Sequence, residues 1–399
     1  MTKNKTFCLV MIVRNEAKVI ERCLNRVKDH IDYWVIVDTG SDDNTPELIQ
    51  QTLAGIPGEL HHKPWVNFGV NRTESLQLAK GKADYLLLCD ADEQIIFADD
   101  FDKNSCNEDI YLVEYTGSTT YSVPYLIKGD IDWRYVGVTH EYLDTDKPVN
   151  RVKIQGISIL DLKDGGFKQD KYERDIRLLE QGLIDEPNNA RYKFYLANSY
   201  RDIQNYKKAA EWYLKRIEAG GWIEEVTCAY ENLGKCYEEL GDKQTALHYW
   251  LLGYDYNPKR AECLYNAVRL LRCDGKNRLG YQLGLIAKNI PYPKNDILFV
   301  KSDVYHYWVY YELSICAYYV GDLKLGYECC EKVLLTDPHN DIIVGTTINN
   351  LQFYKQEAVN FRENLAKVIG IIEDYLTRFP QSPEGYRETL GYLKNVLDC

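Results

Sequence analysis

The stretch Tyr85–Glu93, with the sequence YLLLCDADE, joins an uninterrupted apolar run to a cluster of carboxylates. A short apolar run without polar alternation is typical of a strand that is buried on both faces. Asp90 and Asp92 follow the run at once, so the strand would bring two carboxylates to its carboxyl end. Carboxylate oxygens suit Mg²⁺ or Mn²⁺, and such a cation would keep waters and bridge phosphate oxygens. The D-x-D pattern occurs in surface loops by chance, but its place after a buried strand makes it a candidate metal site.

Two other apolar runs, Phe7–Val13 and Tyr33–Val37, also end in polar loops. The first leads into Arg14-Asn15-Glu16 and the second into Asp38-Thr39-Gly40-Ser41-Asp42-Asp43, where Gly40 would permit a tight turn. Three segments in this part of the chain have the periodicity of helices: Glu16–Val27, Glu47–Leu53 and Thr73–Ala79. Strands alternating with helices predict an α/β domain with a mostly parallel sheet, which binds ligands beyond the carboxyl ends of its strands. Taken alone, the second loop could equally be an ordinary strand-to-helix connection.

From about residue 168 the pattern is helical throughout and repeats with a period near 37 residues. Tyr195–Tyr200 is echoed by Asn232–Tyr237, and each segment is followed by a small residue, Ala209 or Ala246, and then by an aromatic one. Small residues let helices approach closely, and aromatic residues fill the groove between them. We therefore predict an α/β domain over residues 1–165 and an all-α helical repeat domain over residues 166–399, with 275–304 and 340–399 fitting the repeat less well.

The bulk composition excludes several classes of partner. The formal net charge of -12 argues against nucleic acid or an anionic membrane. It leaves a nucleotide ligand open, because a divalent cation can neutralise a diphosphate locally. The 12 cysteines include no C-x-x-C pair or zinc spacing, which favours buried free thiols. No apolar run has the length of a signal sequence or a membrane span, so we expect a cytoplasmic protein.

The strand-end motifs, taken in order and at their spacing, resemble the family 2 glycosyltransferases, which have a GT-A (Rossmann-like) fold. The resemblance rests on Val10–Glu16, on Val37–Thr45 and on Asp90–Glu93. A branch of that family carries C-terminal tetratricopeptide repeats, and further segments resemble that branch: Pro64-Trp65, Phe68, Arg72, Val138–Leu143, Glu186–Asn189 and Tyr192–Ala197. Thr73 is a departure, since the branch usually has Asn after the arginine, and residues 95–135 match nothing clearly.

The resemblance implies a role for each matching position. Asp38 would hydrogen-bond the nucleotide base or ribose, and Arg72 would face the nucleotide or its diphosphate. Asp90 would contact the ribose or the metal, and Asp92 would ligate the metal. His140 would touch the metal or the diphosphate, the alternative being a structural histidine. The expected donor-binding residues are Val13, Arg14, Asn15, Glu16, Asp38, Gly40, Arg72, Asp90 and Ala91, and the expected metal site comprises Asp92, Asp90 and His140.

These features together predict a metal-dependent hexosyltransferase that uses a UDP- or GDP-sugar, and the resemblance to family 2 implies inversion at the anomeric carbon. A carboxylate must take the acceptor's proton, and Glu141 is the first candidate, with Asp132 and Glu93 in reserve. The repeats would bind a protein, peptide or glycan acceptor or form a homodimer. Two alternatives stay open: a non-catalytic scaffold with an inert front domain, and a sugar-nucleotide pyrophosphorylase, which would need a Gly-rich loop that Arg14-Asn15-Glu16 does not provide.

Overall fold

The computed structural model describes residues 4–116, 121–161 and 171–399, and it divides into two compact units, Met1–Pro187 and Asn188–Cys399. Among these residues, no helix combines the length and the apolar character that crossing a bilayer requires. All 12 cysteines are free, and all but Cys273 and Cys399 are buried.

The N-terminal unit is built around one large sheet. Its eight strands are β1 (Phe7–Val13), β2 (Tyr33–Asp38), β3 (Gly58–His62), β4 (Tyr85–Leu88), β5 (Glu93–Phe97), β6 (Ile110–Thr116), β7 (Tyr121–Lys128) and β10 (Arg151–Asp161). Their spatial order is β3-β2-β1-β4-β7-β6-β10-β5. A separate antiparallel ribbon joins β8 (Arg134–Val136) to β9 (Tyr142–Asp144). The helices of this unit are α1 (Ile20–Val27), α2 (Thr45–Thr52), α3 (Phe68–Ala79) and α4 (Lys171–Asp185).

The predicted parallel sheet is confirmed for the strands that carry the motifs. Strands β3, β2, β1 and β4 run parallel, and nearly every residue of β1, β2 and β4 is buried, as their uninterrupted apolar sequences require. Beyond β4 the sheet becomes mixed, because β7 pairs antiparallel with both β4 and β6, while β6 and β10 are parallel. The carboxyl ends of β1, β2 and β4 therefore meet at one edge.

Local hydrogen bonds set the helix boundaries that periodicity left imprecise. Helix α3 begins at Phe68, five residues before the predicted start, because the side chain of Asn67 accepts a hydrogen bond from Val70 N–H at 2.8 Å. Helix α1 begins at Ile20 rather than Glu16, since residues 15–17 donate their backbone N–H groups to the loop after β2.

Helix α4 belongs to the N-terminal unit, whereas the expected boundary, at residues 165 and 166, assigned it to the repeats. Its residue Asp175 is buried and accepts a hydrogen bond from Thr139 Oγ1 at 3.3 Å, and Arg174 lies over the ring of Phe68. These contacts attach α4 to the α/β unit, and the division falls at Pro187 and Asn188.

The C-terminal unit consists of helices that pack in successive pairs, which confirms the all-α prediction. They are α5 (Ala190–Asp202), α6 (Tyr206–Ala219), α7 (Ile223–Glu239), α8 (Lys243–Tyr256), α9 (Glu262–Cys273), α10 (Asn277–Ala287), α11 (Val309–Val320), α12 (Leu323–Thr336), α13 (Asp341–Leu351), α14 (Leu365–Arg378) and α15 (Glu384–Asp398). The repeated small residues Ala209 and Ala246 are fully buried, and a Cβ at Gly234 would lie 2.2 Å from Trp250 Nε1. The repeat therefore reflects close packing between helices.

Candidate active site

A cavity of about 270 Å³ lies at the edge where β1, β2 and β4 end. Its wall combines the polar strand-end residues with aromatic and cationic side chains from α3, the segment before it, and α4. The lining residues are Ile12, Val13, Arg14, Glu16, Thr39, Trp65, Phe68, Arg72, Asp90, Ala91, Asp92, Lys171 and Arg174. Of the expected donor-binding residues, the cavity thus brings together Val13, Arg14, Glu16, Arg72, Asp90 and Ala91, whereas Asn15, Asp38 and Gly40 lie outside its wall.

The loops after β1 and β2 hold each other in place. The backbone N–H of Asn15 donates to Ser41 Oγ at 2.9 Å, and that of Glu16 donates to Thr45 Oγ1 at 2.8 Å. In return, Asn15 Oδ1 accepts from Asp42 N–H at 2.9 Å. Asn15 adopts a left-handed φ of 56°, which asparagine tolerates better than most residues. These hydrogen bonds connect the two loops and hold Arg14 and Glu16 at the cavity wall.

Asp38 takes part in the same bracing network. Its carboxylate is 3% exposed and accepts hydrogen bonds from the hydroxyl of Ser41 at 2.5 Å and from the Ser41 N–H at 3.1 Å. His62 Nδ1 lies 3.1 Å from the other carboxylate oxygen. The resemblance implied a contact of Asp38 with the nucleotide, and that role stays a prediction; the neighbouring Thr39 lines the cavity, whereas Asp38 lies outside its wall.

Arg72 occupies the centre of a charged cluster beside the D-x-D motif. Its Nη2 donates to both carboxylate oxygens of Asp90, at 2.7 and 2.9 Å, and its Nε lies 2.8 Å from Glu141 Oε1. The guanidinium also lies over the ring of Tyr135, 5.7 Å from its centroid. Burial acts to lower the pKa of Arg72, but the two carboxylates outweigh it and raise that pKa well above its ordinary value. Arg72 is therefore a permanent cation that fixes the orientation of Asp90.

Thr73, which departs from the family pattern, joins helix α3 to Tyr135. The hydroxyl of Thr73 donates to the carbonyl oxygen of Tyr135 at 3.3 Å and accepts from the N–H of Tyr135 at 2.9 Å. At the amino end of the helix, a Cβ on Gly69 would lie 2.2 Å from the carbonyl oxygen of Gly137. Helix α3 is thus attached to the segment that carries Tyr135, His140 and Glu141.

The carboxylates at the cavity suit a cation that takes most of its ligands from water and phosphate. Asp90 and Asp92 both line the cavity, and carboxylate oxygens are hard ligands suited to Mg²⁺ or Mn²⁺. Within the described ranges, no group of three or more His, Cys, Asp or Glu side chains could enclose a metal ion. A cation bound here would therefore depend on Asp92 and Asp90 together with the oxygen atoms of a bound ligand.

His140 lies against α4, outside the cavity wall. Its Nε2 is 3.7 Å from Asp175 Oδ2, and its backbone has a left-handed φ of 50°. Burial raises the pKa of Asp175, although the charges of Arg174 and Lys171 oppose that shift. The histidine expected at the metal or diphosphate thus faces a buried carboxylate of α4.

The three candidate bases occupy three different environments, and none of them lines the cavity. Glu141 contacts Arg72, as described above. Glu93 is 5% exposed, accepts hydrogen bonds from the Tyr125 hydroxyl and from the Asp90 N–H, and has a pKa that burial, followed by the charge of Asp90, raises to about 8. Asp132 is largely exposed and forms an ion pair with Lys80.

Several lining residues had no predicted role. Trp65 and Phe68 carried part of the resemblance, and their rings meet edge to face with centroids 4.9 Å apart. Thr39 continues the β1–β2 pairing, because its N–H donates to the carbonyl oxygen of Val13 at 2.9 Å. Lys171 and Arg174 were missed, since α4 was assigned to the helical repeats.

Comparisons with known proteins bear on this site. Residues 8–99 match the family model described as glycosyl transferase family 2. A TPR repeat-containing protein of Synechococcus elongatus is 40% identical over 89 residues, which are 22% of this chain and 21% of that protein. The SPbeta prophage-derived glycosyltransferase SunS of Bacillus subtilis is 24% identical over 228 residues, which are 52% of either chain. The chain thus spans about half, or less, of the length of these curated relatives.

Among solved structures, the C-terminal part of a TPR repeat-containing protein from Cytophaga hutchinsonii resembles this chain with a TM-score of 0.35 and 14% sequence identity. That match covers 56% of this chain and 96% of the other. A TM-score this low adds nothing to the helical pairs described above.

The sheet and its edge cavity define an α/β domain with a ligand site at the carboxyl ends of its parallel strands. The matched residues include β1, β2, β4 and the D-x-D motif. Residues 8–99 of the N-terminal unit thus match the model of a family 2 glycosyltransferase domain.

Proposed function

We propose that this protein is a metal-dependent glycosyltransferase that moves a sugar from a nucleoside-diphosphate sugar to an acceptor. The proposal rests on one observation: a single cavity in a family 2 domain combines the D-x-D carboxylates with four cationic side chains and two aromatic rings. Cationic groups attract the diphosphate of such a donor, and aromatic rings offer apolar surface to its base or sugar. UDP- and GDP-sugars are the donors to test first.

In the proposed reaction, the acceptor oxygen bonds to the anomeric carbon as the bond from that carbon to the phosphate oxygen breaks. The bonding electron pair leaves with the nucleoside diphosphate, and the acceptor's proton passes to a base. Attack opposite the leaving group would invert the anomeric carbon, which the resemblance to family 2 enzymes implies.

The cavity residues would bind and orient the donor. Arg72 keeps the Asp90 carboxylate in a fixed orientation through two hydrogen bonds, so that Asp90 and Asp92 share one wall of the cavity. Asp92, assisted by Asp90, would hold Mn²⁺ or Mg²⁺, which when bound supplies Lewis-acid stabilisation of the charge on the diphosphate. Trp65 and Phe68 would exclude water from one side of the donor.

Glu141 stays the first candidate for the base, with Glu93 and Asp132 in reserve. Its ion pair with Arg72 gives it a second candidate role, the positioning of that arginine. The two roles predict different kinetic effects: loss of a base lowers kcat, whereas loss of a positioning residue weakens donor binding.

The helical unit would recognise the acceptor, a protein, a peptide or a glycan, or would mediate a homodimer. Stacked helical pairs create extended surfaces that suit polypeptide ligands. The alternative function is a non-catalytic scaffold with an inert front domain, and that alternative predicts that no donor binds.

A thermal-shift screen of UDP- and GDP-sugars, each with Mn²⁺ and with EDTA, tests the proposal. A ligand at a hundred times its Kd stabilises the folded state by about 2.7 kcal/mol, which a melting curve detects. The proposal expects at least one donor to raise the melting temperature in Mn²⁺ and to do so less in EDTA. The absence of a shift with every donor would support the scaffold instead.

A further inference from the structure

Helix α4 contributes two cationic side chains to the proposed donor cavity. Lys171 and Arg174 both line it, and they are three residues apart in the first turn of the helix. Residues at this spacing lie on the same face of a helix. The face of α4 that carries them is thus part of the cavity wall.

The position of Arg174 is set by an aromatic ring that also belongs to the cavity. Its guanidinium carbon lies 5.0 Å from the centroid of Phe68. Phe68 and Arg72 are four residues apart in α3, so they share a face of that helix. The same face of α3 therefore positions both guanidinium groups: Arg72 belongs to that face, and Arg174 stacks on its residue Phe68.

The two arginines differ in how fully their charges are compensated. Arg72 contacts both Asp90 and Glu141. Among the described residues, Arg174 pairs with Asp175, whose Oδ1 lies 3.6 Å from Arg174 Nε, beyond hydrogen-bond distance. That Nε, like the Nε of Arg72, is buried and has no hydrogen-bond partner among the described residues, but Arg72 also donates two hydrogen bonds to Asp90 through Nη2. A buried donor in this condition costs free energy unless a ligand satisfies it.

We propose that Lys171 and Arg174 bind the diphosphate of the donor and hold it as the leaving group. The inference rests on the proposed function and deepens it, because it assigns the phosphate contacts to a helix outside the matched family segment. Arg72 is largely neutralised by its two carboxylates, so it serves chiefly to orient Asp90. The second phosphate of the donor would then bind directly to Lys171 and Arg174 of α4.

The experiment compares binding of UDP and GDP with binding of UMP and GMP, by titration calorimetry in EDTA and in Mn²⁺. The variants are Arg174→Gln, Arg174→Lys and Lys171→Gln. Arg177→Gln is the matched control, because Arg177 is an exposed arginine one turn further along α4 and does not line the cavity. Melting temperatures establish that each variant folds. If Arg174→Gln does not fold, the comparison relies on Lys171→Gln.

We expect Arg174→Gln and Lys171→Gln each to weaken diphosphate binding by about tenfold or more, as the loss of a charge-assisted contact implies. Monophosphate binding should change far less, Arg174→Lys should recover part of the loss, and Arg177→Gln should match the native protein. Diphosphate affinities of the two glutamine variants equal to that of Arg177→Gln would overturn the inference, as would an equal loss for monophosphates. Native protein that binds none of these nucleotides would instead overturn the proposed function, and this inference with it.

Discussion

Replacing Glu141 by Gln separates two roles that this residue can have. As a general base, Glu141 would be needed for turnover and not for donor binding, and its loss would lower kcat by roughly 10²–10⁴-fold. In the structure its carboxylate, with a side chain only 12% exposed, lies 2.8 Å from Arg72 Nε. Glutamine keeps the shape but removes the charge, so one of the two carboxylates around Arg72 is lost. Removing one partner of a largely buried ion pair costs about 3–5 kcal/mol of stability, and about 1.4 kcal/mol of that, felt at Asp90, corresponds to a tenfold loss of donor affinity.

The geometry therefore predicts that Glu141→Gln raises the Kd of the donor by at least about tenfold while kcat falls less steeply. The assay is a donor titration by calorimetry, paired with steady-state release of nucleoside diphosphate. Asp100→Asn is the control, because Asp100 is an exposed carboxylate outside the cavity and its replacement should leave both quantities unchanged. An unaltered Kd together with a kcat lowered a hundredfold or more would refute the positioning role and restore Glu141 as the base.

Three further predictions concern stability. Gly69→Ala should destabilise the N-terminal unit by about 1–3 kcal/mol, since the new Cβ would meet the Gly137 carbonyl, whereas Gly370→Ala, inside α14 with open space around it, should raise the melting temperature slightly. Glu231 is buried against two lysines, whose charges outweigh the effect of burial and lower its pKa to about 2. The ionised carboxylate therefore contributes about 3 kcal/mol to the free energy of unfolding above pH 4.5, and this contribution is lost as the pH falls towards 2. The stability difference between native protein and Glu231→Gln, measured by denaturant titration, should accordingly shrink between pH 5 and pH 3, and a constant difference would contradict the shift. A fragment of residues 188–399 should give a helical circular dichroism spectrum and a cooperative melt. A disordered fragment would show that the C-terminal unit does not fold independently.

The strands that consist of short, continuous apolar runs are the elements predicted best from the sequence. Strand β1 was predicted with its observed bounds, and β2 and β4 to within one residue, because apolar runs of only five to seven residues that end in polar loops favour buried strands over helices. The mixed part of the sheet was not predicted. Residues 95–135 match nothing clearly in the family pattern, and the direction in which strands pair there depends on contacts distant in the sequence.

Asp90 and Asp92 line the cavity, as their position at the end of a buried strand predicts, and their roles in binding stay predictions. A polar residue in a strand-end loop, by contrast, can face either a ligand or another loop, and Asp38 faces Ser41. Helical periodicity shows that one face of α4 is buried but does not identify the element that covers it. Arg174 was therefore missed, although it lies in the cavity.

The central claim, metal-dependent use of a nucleotide sugar in this cavity, is tested most directly by measuring nucleoside diphosphate released from UDP- and GDP-sugars. Native protein and Asp92→Asn are compared in Mn²⁺ and in EDTA, with Asp100→Asn as a matched control, since Asp100 is an exposed carboxylate outside the cavity. We predict that native protein and Asp100→Asn release product in Mn²⁺, and that EDTA or Asp92→Asn lowers the rate by about a hundredfold or more, with little change in melting temperature. Equal rates for native protein and Asp92→Asn, or full activity in EDTA, would contradict the account.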